Sequence, residues 1–223
     1  MKRTLSAIAI VLFVLSLNTC TKPKEITKSK EINASKLQKR AGLFYEEGKS
    51  EPFTGKAVRY YPNRQKQNEA NYKDGKYDGL QVRWHRSGQK KYEGNWNDGE
   101  KDGLWVKWDE NGQKRAEVNY KDGKKNGLEV WWHENGQKGA EGNYKDGKEE
   151  GLSVIWHKNG QKKYEGNWKD EEKDGLWVEW DENGQKRAEV NYKDGKQDGL
   201  WVGWDENGKK VYEALHKDGK LVE

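Results

Sequence analysis

The sequence predicts an all-β protein, an elongated single-layer antiparallel meander of tandem 24-residue β-hairpin repeats. Three observations lead there. Gly79, Gly103, Gly127, Gly151, Gly175 and Gly199 recur every 24 residues, and so do Trp84, Trp108, Trp132, Trp156, Trp180 and Trp204. A period between about 20 and 50 residues marks a solenoid or array. Each period holds two short segments that alternate apolar and polar residues, the period of a strand. Between these segments stand "DENG" and "YKDGK", which are turn signals.

The composition fits a thin structure. Of 223 residues, 31% are hydrophobic and 36% charged, yet 12 are Trp and 11 are Tyr. Disordered chains are poor in aromatics, so the apolar surface is concentrated in a few large rings. The net charge of +5 comes from the N-terminus. Lys2 and Arg3 contribute +2 and the stretch 21–41 contributes +5, leaving −2 for Gly42–Glu223. A near-neutral array gives no electrostatic footprint for nucleic acid.

Residues 1–19, "MKRTLSAIAIVLFVLSLNT", carry two cations and then an apolar run from Ala7 to Leu17. That run is too short for a bilayer span of roughly 20 residues and fits a secretory signal. Cys20 is the single cysteine and so has no internal disulfide partner. With Leu17 three residues before it, it resembles the lipobox of bacterial lipoproteins. That resemblance implies lipidation of Cys20 and a lipid-anchored place in the cell envelope, periplasmic or surface. Residues 20–41 read as a flexible basic tether, suited equally to anionic headgroups and to a soluble spacer.

The array runs over 42–219, with a short tail at 220–223. Lys101–Lys124 returns nearly unchanged as Lys173–Lys196, a three-repeat shift that points to duplication of a three-repeat block. In one unit, Leu104, Val106 and Trp108 alternate with Trp105 and Lys107; Ala116, Val118 and Tyr120 alternate with Arg115, Glu117 and Asn119. A two-residue loop at Asn111-Gly112 would set Val106 against Glu117. A three-residue loop, Glu110-Asn111-Gly112, sets Val106 against Ala116 and Leu104 against Val118, with glycine in the left-handed place of a type I turn plus bulge. The same reasoning at Lys121-Asp122-Gly123 sets Ala116 against Leu128. The expectation is therefore three-residue loops throughout, with Leu, Val, Trp and Tyr on one face and Lys114 over Trp108. Glu171 stands where the other repeats have glycine, which predicts a distorted turn.

The motif "DGLWVKWDENGQKRAEVNYKDGK", carried by Gly103, Leu104, Trp108, Asn111, Gly112, Glu117, Tyr120, Asp122 and Gly123, resembles the bacterial variant of the MORN repeat, whose members are often labelled YwqK-type antitoxins. Glu51–Asn63 is similar to the degenerate first repeat common in that family. The resemblance covers 42–219. It implies an elongated sheet of hairpins and a binding role, with a protein partner foremost.

No catalytic, nucleotide-binding or metal motif appears in the sequence, and neither enzyme activity nor a cofactor is expected. The His85, His133 and His157 column would place neighbouring rings about 10 Å or more apart at 4.8 Å per strand, too far to share an ion. The Glu93, Glu117, Glu141, Glu165, Glu189 and Glu213 column reads as cross-strand structure, because identical surroundings do not separate an acid from a base. What varies between copies is more informative. One column reads Gln81, Trp105, Glu129, Ser153, Trp177, Trp201, and the next reads Arg83, Lys107, Trp131, Ile155, Glu179, Gly203. Trp105, Trp131, Ile155, Trp177 and Trp201 are thus the candidate ligand-binding residues, exposed unless sheet twist or long Lys and Arg stems cover them. Such a face suits a protein partner or, as an alternative, a cell-wall glycan.

Overall fold

A computed structural model of the protein describes residues 30–222. The signal segment, Cys20 and residues 20–29 of the tether lie outside the described residues. The remainder is a 16-stranded sheet in which every strand after the first lies beside its neighbour in sequence, joined by a separate two-stranded hairpin at its N-terminal end. No α-helix occurs among the described residues.

The N-terminal end comprises β1 (Glu31–Asn33), a 3-10 turn (Ala34–Lys36), β2 (Leu37–Arg40), β3 (Leu43–Glu46), β4 (Gly55–Tyr60) and β5 (Lys66–Lys73). The six full repeats supply β6 (Lys76–Trp84), β7 (Lys90–Asn97), β8 (Glu100–Trp108), β9 (Lys114–Lys121), β10 (Lys124–Trp132) and β11 (Lys138–Lys145). They continue with β12 (Lys148–Trp156), β13 (Lys162–Lys169), β14 (Glu172–Trp180), β15 (Lys186–Lys193), β16 (Lys196–Trp204) and β17 (Lys210–Lys217). A two-residue strand, β18 (Lys220–Leu221), closes the series. Glu31–Arg40, read from sequence as tether, is therefore folded: β1 pairs parallel with β4, and β2 pairs with β3. Its apolar residues explain this. Ile32, Ala34 and Leu37 join Phe44, Phe53, Ala57, Ala70 and Tyr72 in a small core at this end.

The "DENG" turn has the expected three-residue loop. Gly112 N–H donates to Asp109 at 3.1 Å, Asp109 N–H donates to the Gln113 carbonyl at 2.9 Å, and Gly112 has φ +81°. Asp109 fixes the turn further, its Oδ1 accepting from the Asn111 and Gln113 amides at 2.9 and 3.0 Å. One residue later the expectation fails. Trp108 pairs with Lys114, but Lys107 pairs with Ala116, so Arg115 is an extra residue in a bulge. From there Val106 lies opposite Glu117 and Trp105 opposite Val118. A one-residue slip moves a whole strand's side chains to the other face. The expected single apolar face is thus two faces.

The "YKDGK" turn is tighter than expected. Lys121 pairs with Lys124, leaving the two-residue loop Asp122-Gly123 with φ values of +47° and +75°. Positive φ at both positions is the type I′ geometry that matches strand twist. A wide bulge follows, in which Asn126, Gly127 and Leu128 face Asn119 alone. Ala116 consequently lies opposite Trp131, not Leu128. The carbonyl of Leu128, turned out of the ladder, accepts a 2.8 Å hydrogen bond from Asn119 Nδ2. Glu171 keeps the two-residue turn, at φ +69°. Its distortion is confined to the amide, which reaches the preceding repeat at 3.4 Å where the glycines at this position in the other repeats stand at 2.8–3.0 Å.

One face carries the Leu104, Val106 and Trp108 columns with the Glu117 and Asn119 columns. Valine is the packed element there: Val82, Val130, Val154, Val178 and Val202 are buried. The leucines are not; Leu104 is 45% exposed, and the column repeats this. The Lys114 ammonium bonds the Glu117 carboxylate and lies over Trp132 of the next repeat at 5.4 Å, not over Trp108. Lys90 takes the place over Trp108, at 5.7 Å. Each glutamate of that column has its own lysine three residues before it. The opposite face carries the other tryptophans, Trp96, Trp105, Trp131, Trp168, Trp177 and Trp201, with the Tyr120 column.

Candidate functional site

The ring face is built from the Trp105, Ala116, Val118, Tyr120 and Trp131 positions. Starting at the N-terminal core, Tyr72 meets Tyr77 at 4.7 Å, Tyr77 stacks on Trp96 at 5.0 Å, and Trp96 meets Trp105 edge-to-face at 5.2 Å. A second series links Trp168 to Trp177 at 5.1 Å and Trp177 to Tyr192 at 6.5 Å. Lysines sit over both: Lys101 lies 4.5 Å from Trp105 and 4.6 Å from Tyr120, and Lys173 lies 4.3 Å from Trp177 and 5.0 Å from Tyr192. A cation over a ring is worth about 0.5–2 kcal/mol.

The five sequence candidates separate on this frame. Trp105 is buried at 8% exposure, which corrects the expectation that it faces solvent. Its indole lies over Gly94, under the Lys101 ammonium, and donates Nε1–H to the Asn95 carbonyl at 3.0 Å. Trp177 repeats the arrangement over Gly166, with Asn167 at 3.1 Å, and is half-buried. Trp201 is half-buried by another route. Val190 occupies the space that Gly94 and Gly166 leave free, and Trp201 turns to Tyr212 at 4.9 Å and His216 at 5.7 Å. Trp131 and Ile155 remain exposed, at 42% and 40%. They are register partners through Ala140, Trp131 on β10 and Ile155 on β12. The structure thus leaves Trp131 and Ile155 exposed two strands apart near the middle of the sheet, with Trp105 packed and Trp177 and Trp201 half-buried.

Beside them runs a groove of about 410 Å³. Ala116 and Val118 form its floor, Trp105, Tyr120 and Trp131 its walls, and Lys101, Lys107 and Lys125 its rim. Glu129 is 5% exposed at the groove's end and bonds Lys125 at 2.7 and 2.8 Å. Beyond it Tyr144 donates to Glu149 at 3.2 Å. Burial, then the negative charge of Glu129, pushes the Tyr144 hydroxyl well above the usual phenol range. Lys125, Glu129 and Tyr144 were not singled out by sequence, since the polar members of a variable column carry no mark of burial.

The histidine column works within the fold. The Nε2 atoms of His85, His133 and His157 stand 3.1, 2.9 and 3.0 Å from the carbonyls of Trp108, Trp156 and Trp180 in the next repeats. A carbonyl only accepts, so each imidazole carries its proton on Nε2. Among the described residues no group of His, Cys, Asp or Glu has the arrangement of a metal site.

A family model described as MORN repeat variant matches residues 77–98, 101–122, 125–146, 149–170, 173–194 and 197–222. No curated protein matches the chain.

Proposed function

The chain belongs to the MORN repeat variant family, whose repeats are commonly protein- or membrane-binding modules, and from that premise we propose a lipid-anchored envelope protein whose ring face holds a protein partner. The single observation that supports this most is the groove between Trp105 and Trp131. Its volume lies in the range of ligand sites, and it combines apolar floor, aromatic walls and a few polar groups as such sites do. Three lysines against one glutamate, itself paired with Lys125, favour a segment that carries acidic as well as apolar side chains. Trp and Tyr are the residues most often found at binding hot spots.

The anchor in this reading is a diacylglycerol on Cys20, with residues 21–29 between it and the sheet. An antitoxin- or immunity-like role would follow if the captured partner is a toxic protein whose active surface the groove covers. The test is capture of proteins from an envelope extract by the mature chain, compared with its Trp131→Ala and Ile155→Ala variants. Loss of a specific partner in both variants, at unchanged melting temperature, supports the reading; capture indifferent to both substitutions sinks it. Palmitate labelling that is abolished by Cys20→Ser tests the anchor separately.

The exposed shelf of Trp131 and Ile155 beside the Lys125–Glu129 pair supports a second reading, a cell-wall glycan. Calorimetry with peptidoglycan fragments distinguishes it, since a sugar ligand should bind the isolated chain with no protein partner present.

A further inference from the structure

A cavity of about 380 Å³ lies at the N-terminal end of the ring face, apart from the groove at Trp131. Ala34 and Phe44 of the N-terminal segment line it, with the rings of Tyr72 and Tyr77. Its charged lining is Arg59, Arg83 and Lys91, and no aspartate or glutamate is among the lining residues.

Strand register builds the charged part. Arg59 on β4 and Arg83 on β6 both pair with Asn68 on β5 between them. At 4.8 Å per strand the two arginines start about 10 Å apart. Asn68 Oδ1 accepts from Arg83 Nε at 3.1 Å and from Gln81 Nε2 at 3.2 Å, which orients the amide and leaves its Nδ2 as a donor. Asn68 and the Tyr92 ring, 5.2 Å from the guanidinium, steady Arg83. The carboxylate of β5, Glu69, is taken by Lys56 and Lys66 at 3.0 and 2.5 Å, and among the described residues neither guanidinium has an ion-pair partner. Burial and Tyr77 raise the Tyr72 hydroxyl, while Arg59 and Arg83 both pull it down, so both charges lie near that wall of the cavity.

Lys91 is the extra residue of the bulge in β7. Elsewhere the preceding turn neutralises the cation at this position: Asp109 holds Arg115 at 3.2 Å and Asp181 holds Arg187 at 3.3 Å. Lys91 has His85 there, and His85 Nε2 is committed to the Trp108 carbonyl. Lys163 also follows a histidine turn, but it lies over the Tyr164 ring at 5.4 Å. Among the described residues Lys91 has neither a carboxylate nor a ring. Three cations left without anions around one cavity repel one another, and a bound anion relieves that repulsion.

We propose that this cavity binds a small phosphate monoester, its phosphate between Arg59 and Arg83 over Asn68, within reach of Lys91, and its ester group toward Phe44, Tyr72 and Tyr77. Two guanidinium forks and an ammonium match the double charge and the several acceptor oxygens of a phosphate. The volume, with rings on one side and convergent polar groups on the other, is that of a small-molecule site. A lipid headgroup offers the same phosphate chemistry, and the experiment separates the two sources.

The mature chain is titrated with phenyl phosphate by calorimetry and phosphorus NMR, at a pH above the phosphate's second pKa of about 6. Phenol and vesicles containing phosphatidylglycerol are the comparison probes. Phenyl phosphate should bind at roughly millimolar concentration or below, and phenol should not bind. Arg59→Gln and Arg83→Gln should each weaken binding about tenfold or more. Lys107→Gln removes a cation of the same column outside the cavity and should leave binding unchanged. All three side chains are exposed, so the melting temperature should stay at that of the parent. No binding of phenyl phosphate, or equal binding by both arginine variants, would overturn the proposal. A loss in Lys107→Gln as large as theirs would overturn it too, because general surface charge would then account for the binding. Binding to the vesicles with none to phenyl phosphate would also overturn it. None of these outcomes bears on the protein-binding reading, whose test residues are Trp131 and Ile155.

Discussion

Replacing Ser153 by glutamine should make the array more stable, although it adds a polar side chain to a half-buried site. The reason is an unpaired donor. Trp96 Nε1–H donates to Gln81 Oε1 at 2.9 Å, and Trp168 stands in the same place three repeats later. Its counterpart acceptor is Ser153, too short to reach, and Trp168 Nε1 is buried with no partner. A buried donor left unsatisfied costs about 1–3 kcal/mol. Gln81 is itself held by Asn68, whose Oδ1 accepts from Nε2 at 3.2 Å; in the later copy that position is Ala140. Ser153→Gln alone should therefore recover only about 1 kcal/mol, its own amide being left to water. The double variant Ala140→Asn/Ser153→Gln rebuilds the whole chain of bonds and should recover about 2 kcal/mol. For a chain of this size, 1 kcal/mol corresponds to roughly 2–4 °C in melting temperature. Repeat arrays do not always unfold as one unit, so the decisive assay is local: hydrogen exchange at the Trp168 indole N–H by NMR, beside a urea titration. Unchanged exchange at that proton, or a double variant less stable than the single one, would refute the reasoning.

Glu171→Gly should stabilise by about 1 kcal/mol, because a side chain at φ +69° carries a steric cost that glycine lacks; urea unfolding and amide exchange at the 169–172 turn measure it. Trp177→Ala should cost about 3–5 kcal/mol, since it uncovers Gly166 and removes the ring that Trp168 and Lys173 contact; a loss under 1 kcal/mol in the same titration would contradict the packing. Stability should fall in acid below about pH 4, the unfolded carboxylate range. Asp198 is held low by the Lys217 ammonium. For Glu69 burial pulls upward, but the bonds from Lys66 and Lys56 outweigh it. A carboxylate depressed in the folded state stabilises above its unfolded pKa, and that contribution disappears as pH falls through the folded value. At the other extreme burial raises the Tyr72 and Tyr144 hydroxyls, so stability should also decline as pH climbs past the ordinary phenol value of about 10. Circular dichroism melts across pH 2–11 check both arms.

Much of this architecture is written openly in the chain. The 24-residue period gives the number of hairpins, and Gly112 after Asn111 gives the first loop and its left-handed residue. The register beyond that loop is not legible, because the bulge at Arg115 has no residue signature: arginine serves there, and no glycine or proline is needed. Pairing Val106 with Glu117 looks unfavourable when the two strands are taken alone. It is tolerable because Lys114, three residues earlier, bonds the carboxylate, and because that lysine lies over Trp132 of the next repeat. The compensation thus crosses a repeat boundary, and a single hairpin cannot reveal it. The same blindness made Trp105 look free. Its cover is Gly94 behind it and Lys101 above it, two residues that look like punctuation and surface charge.

With the register known, the variable columns acquire a physical order. Position 94 and its repeats decide whether space exists behind the next strand, and position 105 and its repeats decide what fills it. Gly94 with Trp105 and Gly166 with Trp177 are closed pairs. Val190 with Trp201 is a blocked pair whose ring is turned forward onto Tyr212. Gly142 with Ser153 is the pair in which space is present and the filler is not. The two exposed apolar side chains of the ring face's middle, Trp131 and Ile155, flank that same gap. The unfilled space and the uncovered apolar surface therefore coincide at the centre of the array, between the Trp96–Trp105 and Trp168–Trp177 ring pairs.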